Sequence, residues 1–232
     1  MRVINLGTSS SGNAFIVQGS TSRLLLECGF RYNLLLEKAE FDLPDHCLLT
    51  HEHKDHSKSV VKYIRQGGKV WTSEGTQEAL GIKTNTAKHN EYIEINGFLV
   101  LPFNSEHDCV EPFGYLIQDM DTKEALLFVT DSCFLRYKFP AGVLTHILIE
   151  CNFDRETLSP DVSDLHLERV FDSHMSLQDL KLMLKANDLS RVEAIYLCHM
   201  SSDNLIPTKA KREIKALTGK PVYLCNKNGG VI

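Results

Sequence analysis

At 232 residues, 43% hydrophobic and 24% charged, the chain has the make-up of one folded domain, expected to span 1–232, with no tract apolar-poor enough to be disordered. Its longest apolar runs, such as 125–129, fall far short of the ~20 residues a membrane helix needs, and Met1-Arg2-Val3-Ile4-Asn5-Leu6-Gly7 is no secretory leader, so a cytoplasmic location without a membrane partner is expected. A net charge of −5 excludes the broad positive field of a protein held on nucleic acid by charge alone, although divalent cations in a site would supply positive charge locally.

The first 30 residues alternate apolar runs with turn residues, which predicts a meander of strands over 3–6, 14–17 and 24–26. A helix over 33–40, ended by Pro44, precedes a buried strand over 47–50, which delivers a run of polar residues onto a loop at its C-terminal end. Ser57 is the expected N-cap of a helix through 65, closed by Gly67-Gly68, with a strand over 69–72 and a short helix over 76–80 beyond it. Strands are expected at 92–95, 98–103, 114–118, 125–130 and 147–150. Two amphipathic helices within 164–187, parted by His174-Met175-Ser176, lead to a strand over 194–198, a helix over 208–217 and a last strand over 222–224. This order suggests an α+β protein, a four-layer αββα sandwich with the sheets face to face and the helices outside. Seven cysteines form no CxxC pair and sit mostly in apolar strands, so they read as reduced core residues.

The most informative stretch is His51-Glu52-His53-Lys54-Asp55-His56. Imidazole nitrogens and a carboxylate suit Zn²⁺ or Mn²⁺, and the alternate residues His51 and His53 can face one ion from an extended loop while Asp55 and His56 turn toward a second. A merely solvated polar loop is the competing reading, and four possible ligands in six residues directly behind an apolar strand speak against it.

This HxHxDH run resembles the signature of the metallo-β-lactamase superfamily. The resemblance implies further ligands at later strand ends: His107 in Asn104-Ser105-Glu106-His107-Asp108, Asp131 after Leu127-Phe128-Val129-Thr130, and His199 after Ile195-Tyr196-Leu197-Cys198. It implies two divalent metal ions, Zn²⁺ or Mn²⁺: one held by His51, His53 and His107, the other by Asp55, His56 and His199. Asp131 would lie between them, beside a bridging water held as hydroxide. The chain also resembles the YycJ/WalJ branch of small nuclease-like metallohydrolases. That likeness rests on Ser9-Ser10-Ser11-Gly12-Asn13-Ala14-Phe15, Glu150-Cys151-Asn152-Phe153-Asp154, His174-Met175-Ser176 and the stretch from Tyr196 to Asn204.

What the resemblance implies is a phosphodiesterase with nucleic acid as substrate, exonuclease-like and with DNA favoured, in which the second ion or Asp55 helps to position the attacking water. His174 and Ser176 look like the His-x-Ser element that holds a phosphate, with His174 stabilising the developing charge or protonating the leaving oxygen. Alternatively, Ser176 simply caps a helix over 177–185 and His174 is a loop residue. A small-molecule hydrolase of cyclic phosphodiesters or acyl (thio)esters is the runner-up, favoured by the acidic charge, and a metal-binding regulatory module is a third reading. No protein partner is inferable. Only 67 residues separate Asp131 from His199, too few for the large inserted domain of the superfamily's RNA-processing nucleases, and His53 argues against its di-iron branch. Glu27, Phe153, Ser173 and Leu177 depart from the pattern, the last three near the expected substrate side. His46, His89, His146 and His166 read as structural. The basic faces of Lys54, Lys58, Lys62 and Arg65, and of Lys209, Lys211, Arg212 and Lys215, read as solvated surface, with phosphate steering open.

Overall fold

Period-two alternation sends successive strand side chains to opposite faces of a sheet, and it sorts this chain's apolar residues into three layers of core. The computed structural model describes residues 1–158 and 171–231. One sheet holds β1 (Arg2–Gly7), β2 (Ala14–Gln18), β3 (Arg23–Leu26), β4 (His46–Leu48), β5 (Lys69–Thr72), the short β6 (Asn85–Thr86) and, from the far end of the chain, β14 (Gly230–Val231), in the order β14-β1-β2-β3-β4-β5-β6. The other holds β7 (Ile93–Ile95), β8 (Phe98–Asn104), β9 (Phe113–Asp119), β10 (Ala125–Val129), β11 (His146–Glu150), β12 (Ala194–Cys198) and β13 (Val222–Leu224), in the order β13-β12-β11-β10-β9-β8-β7.

Phe15, Val17, Leu24 and Leu26 of the first sheet meet Leu126, Phe128 and Tyr196 of the second in the central layer. Their neighbours Ala14, Ile16 and Leu25 face outward onto Leu35 of α1 (Tyr32–Lys38) and onto Val60 and Tyr63 of α3 (Val60–Arg65). Across the molecule Leu127, Val129, Ile195 and Leu197 pack on Leu180 and Leu184 of α5 (Leu177–Ala186) and on Ala210 and Ile214 of α6 (Pro207–Thr218). The result is the expected αββα sandwich. Two further helices among the described residues are α2 (Lys54–Ser57) and α4 (Glu74–Leu80). Among the described residues no helix is long and apolar enough to cross a membrane.

Strands β3 and β4 run parallel, as do β10, β11 and β12, so within each sheet the C-terminal ends of these strands open on one edge, where the functional residues follow. The element order matches the sequence reading closely, with two strands it lacked: β6 and β14 are two residues each and carry no apolar alternation. Ser57 is not an N-cap. It ends α2 with its hydroxyl donating to the Glu52 carbonyl, and α3 starts afresh at Val60. Of the first of the two helices expected within 164–187, only 171–173, which are helical, fall among the described residues, and His166 lies outside them.

The two sheets are pinned by a carboxylate. Asp119, at the end of β9, accepts from Ser20 N (2.6 Å), Asp121 N (2.9 Å) and Thr122 N (2.9 Å), joining the β2–β3 turn to the β9–β10 turn. Burial pulls its pKa up, but these N–H groups outweigh it and hold the carboxyl at about 2, below the usual 3.8. Asp119→Ala is expected to cost about 2–3 kcal/mol in urea unfolding, the scale of losing a buried charge-assisted acceptor. A depressed folded pKa gives stability that is whole above pH ~4 and drains away as the carboxyl protonates on descent. The deficit of the variant relative to wild type should therefore shrink as the pH is lowered from ~4 through about 2.

Candidate metal centre

Each strand that ends at the open edge hands over a polar residue, and three of those residues sit in the left-handed region where a non-glycine backbone is strained: Glu27 after β3 (φ 67°), Asp131 after β10 (φ 49°) and His199 after β12 (φ 47°). Such strain costs on the order of 1–2 kcal/mol per residue and persists only where the surroundings enforce it. It turns the chain sharply at the sheet edge, and all three carboxylate or imidazole groups end up buried. The histidine run departs from a simple loop. His51 and His53 lie on extended chain after β4, but His53 (φ −57°, ψ 145°) occupies the N-cap position of α2, so Asp55 and His56 stand on a single helical turn. That turn swings them away from the direction of His51 and His53. The backbone of α2 is braced by Asn13 N donating to the Asp55 carbonyl (2.8 Å) and Cys28 N donating to that of His56 (2.7 Å). Gly29 must remain glycine, since a Cβ there would lie 1.7 Å from the Asp55 carbonyl oxygen.

Two donor sets result, and they share one carboxylate. His51, His53, His107 and Asp131 offer ligand atoms all within 4.8 Å of one another, and so do Asp55, His56, Asp131 and His199. Asp131 Oδ2 lies 3.1 Å from His56 Nε2, 3.7 Å from His107 Nε2 and 3.8 Å from His51 Nε2, while Oδ1 lies 3.3 Å from His199 Nδ1. His53 Nδ1 and His107 Nε2 face each other at 3.1 Å. Asp55 Oδ2 is 3.3 Å from His56 Nε2 and 3.4 Å from His199 Nε2. All seven residues expected as ligands thus converge.

The chemistry of the set fits a divalent cation. His51 Nε2 is fully buried with no hydrogen-bond partner, an arrangement that costs free energy unless something else takes up the lone pair. Three outer nitrogens are spoken for: His51 Nδ1 pairs with Thr50 Oγ1 (2.9 Å), His107 Nδ1 with the Ser173 carbonyl (2.9 Å) and His199 Nδ1 with Glu150 Oε1 (3.0 Å), while His56 Nδ1 makes no hydrogen bond and lies 3.7 Å from Glu27 Oε2. Anchoring one ring nitrogen to fix the tautomer and leave the other for an ion is the usual outer support of a metal-ligating histidine. Without an ion the cluster is a knot of opposing charges. Burial, followed by the neighbouring imidazoles His56, His107 and His53, pushes the His51 pKa well down. His56 is driven the other way: burial opposes its charge, but the Asp131 and Asp55 carboxylates prevail and raise it well above 6.5. Burial likewise raises Asp131, and the surrounding histidines, His199 and His56 foremost, bring it well below 3.8.

Beside this cluster a cavity of about 180 Å³ is lined by Ser10, His53, Asp55, His107, Asp131 and His174, among others. His174 is held by Glu150, whose Oε1 accepts from Nδ1 at 2.6 Å while Oε2 accepts from Met175 N and Ser132 N (both 3.1 Å). Burial lowers the His174 pKa and the Glu150 carboxylate more than restores it, so the net direction is upward. Ser176 differs from the expectation that it binds substrate. It is fully buried, does not line the cavity, and its hydroxyl accepts from Asp179 N (3.0 Å) and donates to Asp179 Oδ2 (2.5 Å) as the N-cap of α5. A serine at that point of the chain meets the four unpaired N–H groups of a helix start before it can meet a ligand.

Three residues at the site escaped the sequence reading as working parts. Glu150 ends an otherwise apolar strand, the same signal that marks Asp131. Asn13 Nδ2 reaches Asp55 Oδ2 (3.3 Å) and His56 Nε2 (3.2 Å), and Thr8 Oγ1 links Asn13 Oδ1 (2.6 Å) to His199 N (3.0 Å); both lie in a serine-rich turn. His46 accepts from Trp71 Nε1 and His89 from Asn104 N, while His146 stacks on Tyr196 with Glu124 and Glu193 in reach. All seven cysteines are free thiols, five of them buried.

No family model matches the chain. Exodeoxyribonuclease WalJ of Streptococcus pneumoniae is 29% identical over 224 residues, covering 87% of this chain and 82% of WalJ. Exodeoxyribonuclease YycJ of Bacillus anthracis is 26% identical over 226 residues, covering 90% and 86%. Among solved structures, the metallo-β-lactamase fold protein YhfI from Bacillus subtilis matches with a TM-score of 0.72 at 16% identity, covering 100% of this chain and 98% of YhfI. A diphosphatase from the PhnP family matches with 0.66 at 17%, covering 99% and 96%. With two mixed sheets between helices and a histidine-aspartate cluster at the strand ends, the chain is a metallo-β-lactamase-fold protein. Within that class it is similar to the WalJ and YycJ exonucleases along most of its length.

Proposed function

We propose that the chain is a metal-dependent phosphodiesterase acting on nucleic acid, exonuclease-like and with DNA favoured, working as a single domain over 1–232. One observation carries the reading: two largely buried donor sets, with His53, His107 and Asp55 partly exposed, meet at the shared carboxylate of Asp131. His51, His53 and His107 would hold one divalent cation, Asp55, His56 and His199 a second, and Asp131 both, with Zn²⁺ and Mn²⁺ equally suited to these nitrogen and oxygen donors. When bound, such ions supply Lewis acidity and activate water at neutral pH.

The chain's own groups then divide the work. Asp55 lines the cavity and orients the attacking water. His174, fixed through Nδ1 by Glu150, presents Nε2 to the substrate phosphate, where it donates to a nonbridging oxygen or protonates the leaving oxygen. The upward shift of its pKa keeps that proton in place closer to neutrality. Ser176 takes no part, its hydroxyl being committed to α5. The relatives named exodeoxyribonucleases support DNA as the substrate.

The test is a panel of labelled linear and circular single-stranded DNA, duplex DNA, RNA, a cyclic nucleotide and a thioester, offered to protein loaded with Zn²⁺ or Mn²⁺. Linear DNA should be shortened from its ends, circular DNA spared, and all turnover lost on chelation and regained on adding metal back. Turnover confined to the cyclic nucleotide or the thioester would overturn the reading in favour of small-molecule hydrolysis.

A further inference from the structure

Helix α1 and the segment from α2 into α3 face each other across an open groove of about 640 Å³. Its walls bring together Arg31 and Tyr32 from one side with Lys58 and Lys62 from the other, residues some 30 positions apart in the chain, and one carboxylate, Glu37. Arg31, Lys58 and Lys62 are exposed, and none of the ion pairs among the described residues involves them. In a chain of net charge −5, three unneutralised cations against one acid make a local positive field that needs a reason.

The groove is also ordered and connected. Lys62 Nζ sits 5.0 Å from the centre of the Tyr32 ring and donates to Asn33 Oδ1, so the cation and the aromatic face are presented together. Lys58 Nζ donates to the carbonyl of Ser11 at 2.7 Å. Ser11 adjoins Ser10, which lines the cavity at the metal-ligand cluster. The serine turn therefore separates the cleavage cavity from the basic groove by a single residue of chain, and Lys58 stands at the crossing point.

We propose that this groove is a binding track for the phosphodiester backbone of single-stranded nucleic acid, lying outside the cleavage cavity and guiding the strand that leads into it. Cations at spaced intervals beside an aromatic ring are what a flexible strand requires: charge for its phosphates and a flat face for a base. The inference rests on the nucleic-acid reading above and adds to it a substrate length, because a track outside the cavity acts only on strands long enough to reach it.

The experiment compares wild type with the triple variant Arg31→Ala, Lys58→Ala, Lys62→Ala, both loaded with Mn²⁺, on a ~20-nucleotide single-stranded DNA, on a dinucleotide and on bis(p-nitrophenyl) phosphate. For the long strand KM should rise about tenfold or more, and the slope of log KM against log salt should flatten by about 2, the loss of three contacts at ~0.7 each. Dinucleotide and model-ester turnover should stay within about twofold. Lys58→Arg with Lys62→Arg should keep wild-type behaviour, and Tyr32→Ala should raise KM without altering the salt slope. An unchanged KM and salt slope for the long strand would overturn the track while leaving nuclease activity standing. Equal losses on the long strand and the dinucleotide would overturn it as well, by placing the effect in the cleavage cavity or the fold. Model-ester turnover by a wild-type protein that neither binds nor cuts any strand would sink the nucleic-acid reading and the track together.

Discussion

Asp131→Ala is expected to leave a folded protein that retains little bound metal and turns over DNA at least about 10³-fold more slowly, a loss of roughly 4 kcal/mol in the barrier. The size follows from position. Asp131 is the one residue common to both donor sets, and its two oxygens face His51, His56, His107 and His199. Losing it removes a negative charge from both sets and leaves the raised His56 and His199 imidazoliums without their strongest partner. Breaking a buried ion pair on one side alone costs about 3–5 kcal/mol, so the alanine variant needs a folding check by circular dichroism. Asp131→Asn, which keeps the shape, should retain more stability yet share the loss of metal. Elemental analysis after dialysis and turnover at saturating metal are the paired readouts, and wild-type values for both would overturn the shared-carboxylate reading.

The same charges set how metal uptake depends on pH. In the ion-free cluster burial lowers the pKa of His199, but the Asp131, Asp55 and Glu150 carboxylates outweigh it and push it up to about 10. A cation entering there must displace a proton, so binding releases protons and the apparent affinity falls as the pH is lowered. Retention after dialysis should accordingly weaken from pH 8 toward pH 6, as judged with Zn²⁺.

Four of the seven expected ligands were legible locally, within the six residues from His51 to His56; His107, Asp131 and His199 each follow an apolar strand, where a lone polar residue is unremarkable, and stand out only through the superfamily resemblance. The strands and helices were legible from alternation and the 3.6-residue period, whereas the layering into a sandwich was suggested only by their order and is not visible in the pattern itself. The parts that were not legible are those made by long-range juxtaposition of unremarkable residues. Glu150 meets His174 across 24 positions and Asn13 meets Asp55 across 42, and nothing in Gly12-Asn13-Ala14 says that its amide will brace a helix turn. Lys58 and Lys62 read as a solvated face because Arg31 and Tyr32, which convert that face into a groove, come from another helix. Ser176 shows the reverse: its hydroxyl fits both a phosphate clamp and a helix cap, and only the position of Asp179 N decides between them.

His174→Gln is the second large effect expected, a fall in kcat of about 10²–10⁴-fold with the metal content intact, the usual cost of removing a general acid. His174 donates to Glu150 and lies 5.3 Å from His199 between ring centroids, and its ring nitrogen is within 4.8 Å of ligand atoms of Asp131, Glu150 and His199, so metal content is measured on the same variant. The pH profile separates a proton donor from a spacer. A group that must be protonated sets the basic limb of kcat, and the Glu150 carboxylate is what raises the pKa of His174. Glu150→Gln should therefore move that limb to lower pH, because the neutral amide no longer favours the imidazolium. Glu150 also accepts from His199 Nδ1 at 3.0 Å, so metal analysis of the same preparation must accompany the profile. A shifted limb with full metal assigns proton transfer to His174, and full activity of His174→Gln on DNA would leave the leaving oxygen to be protonated by water.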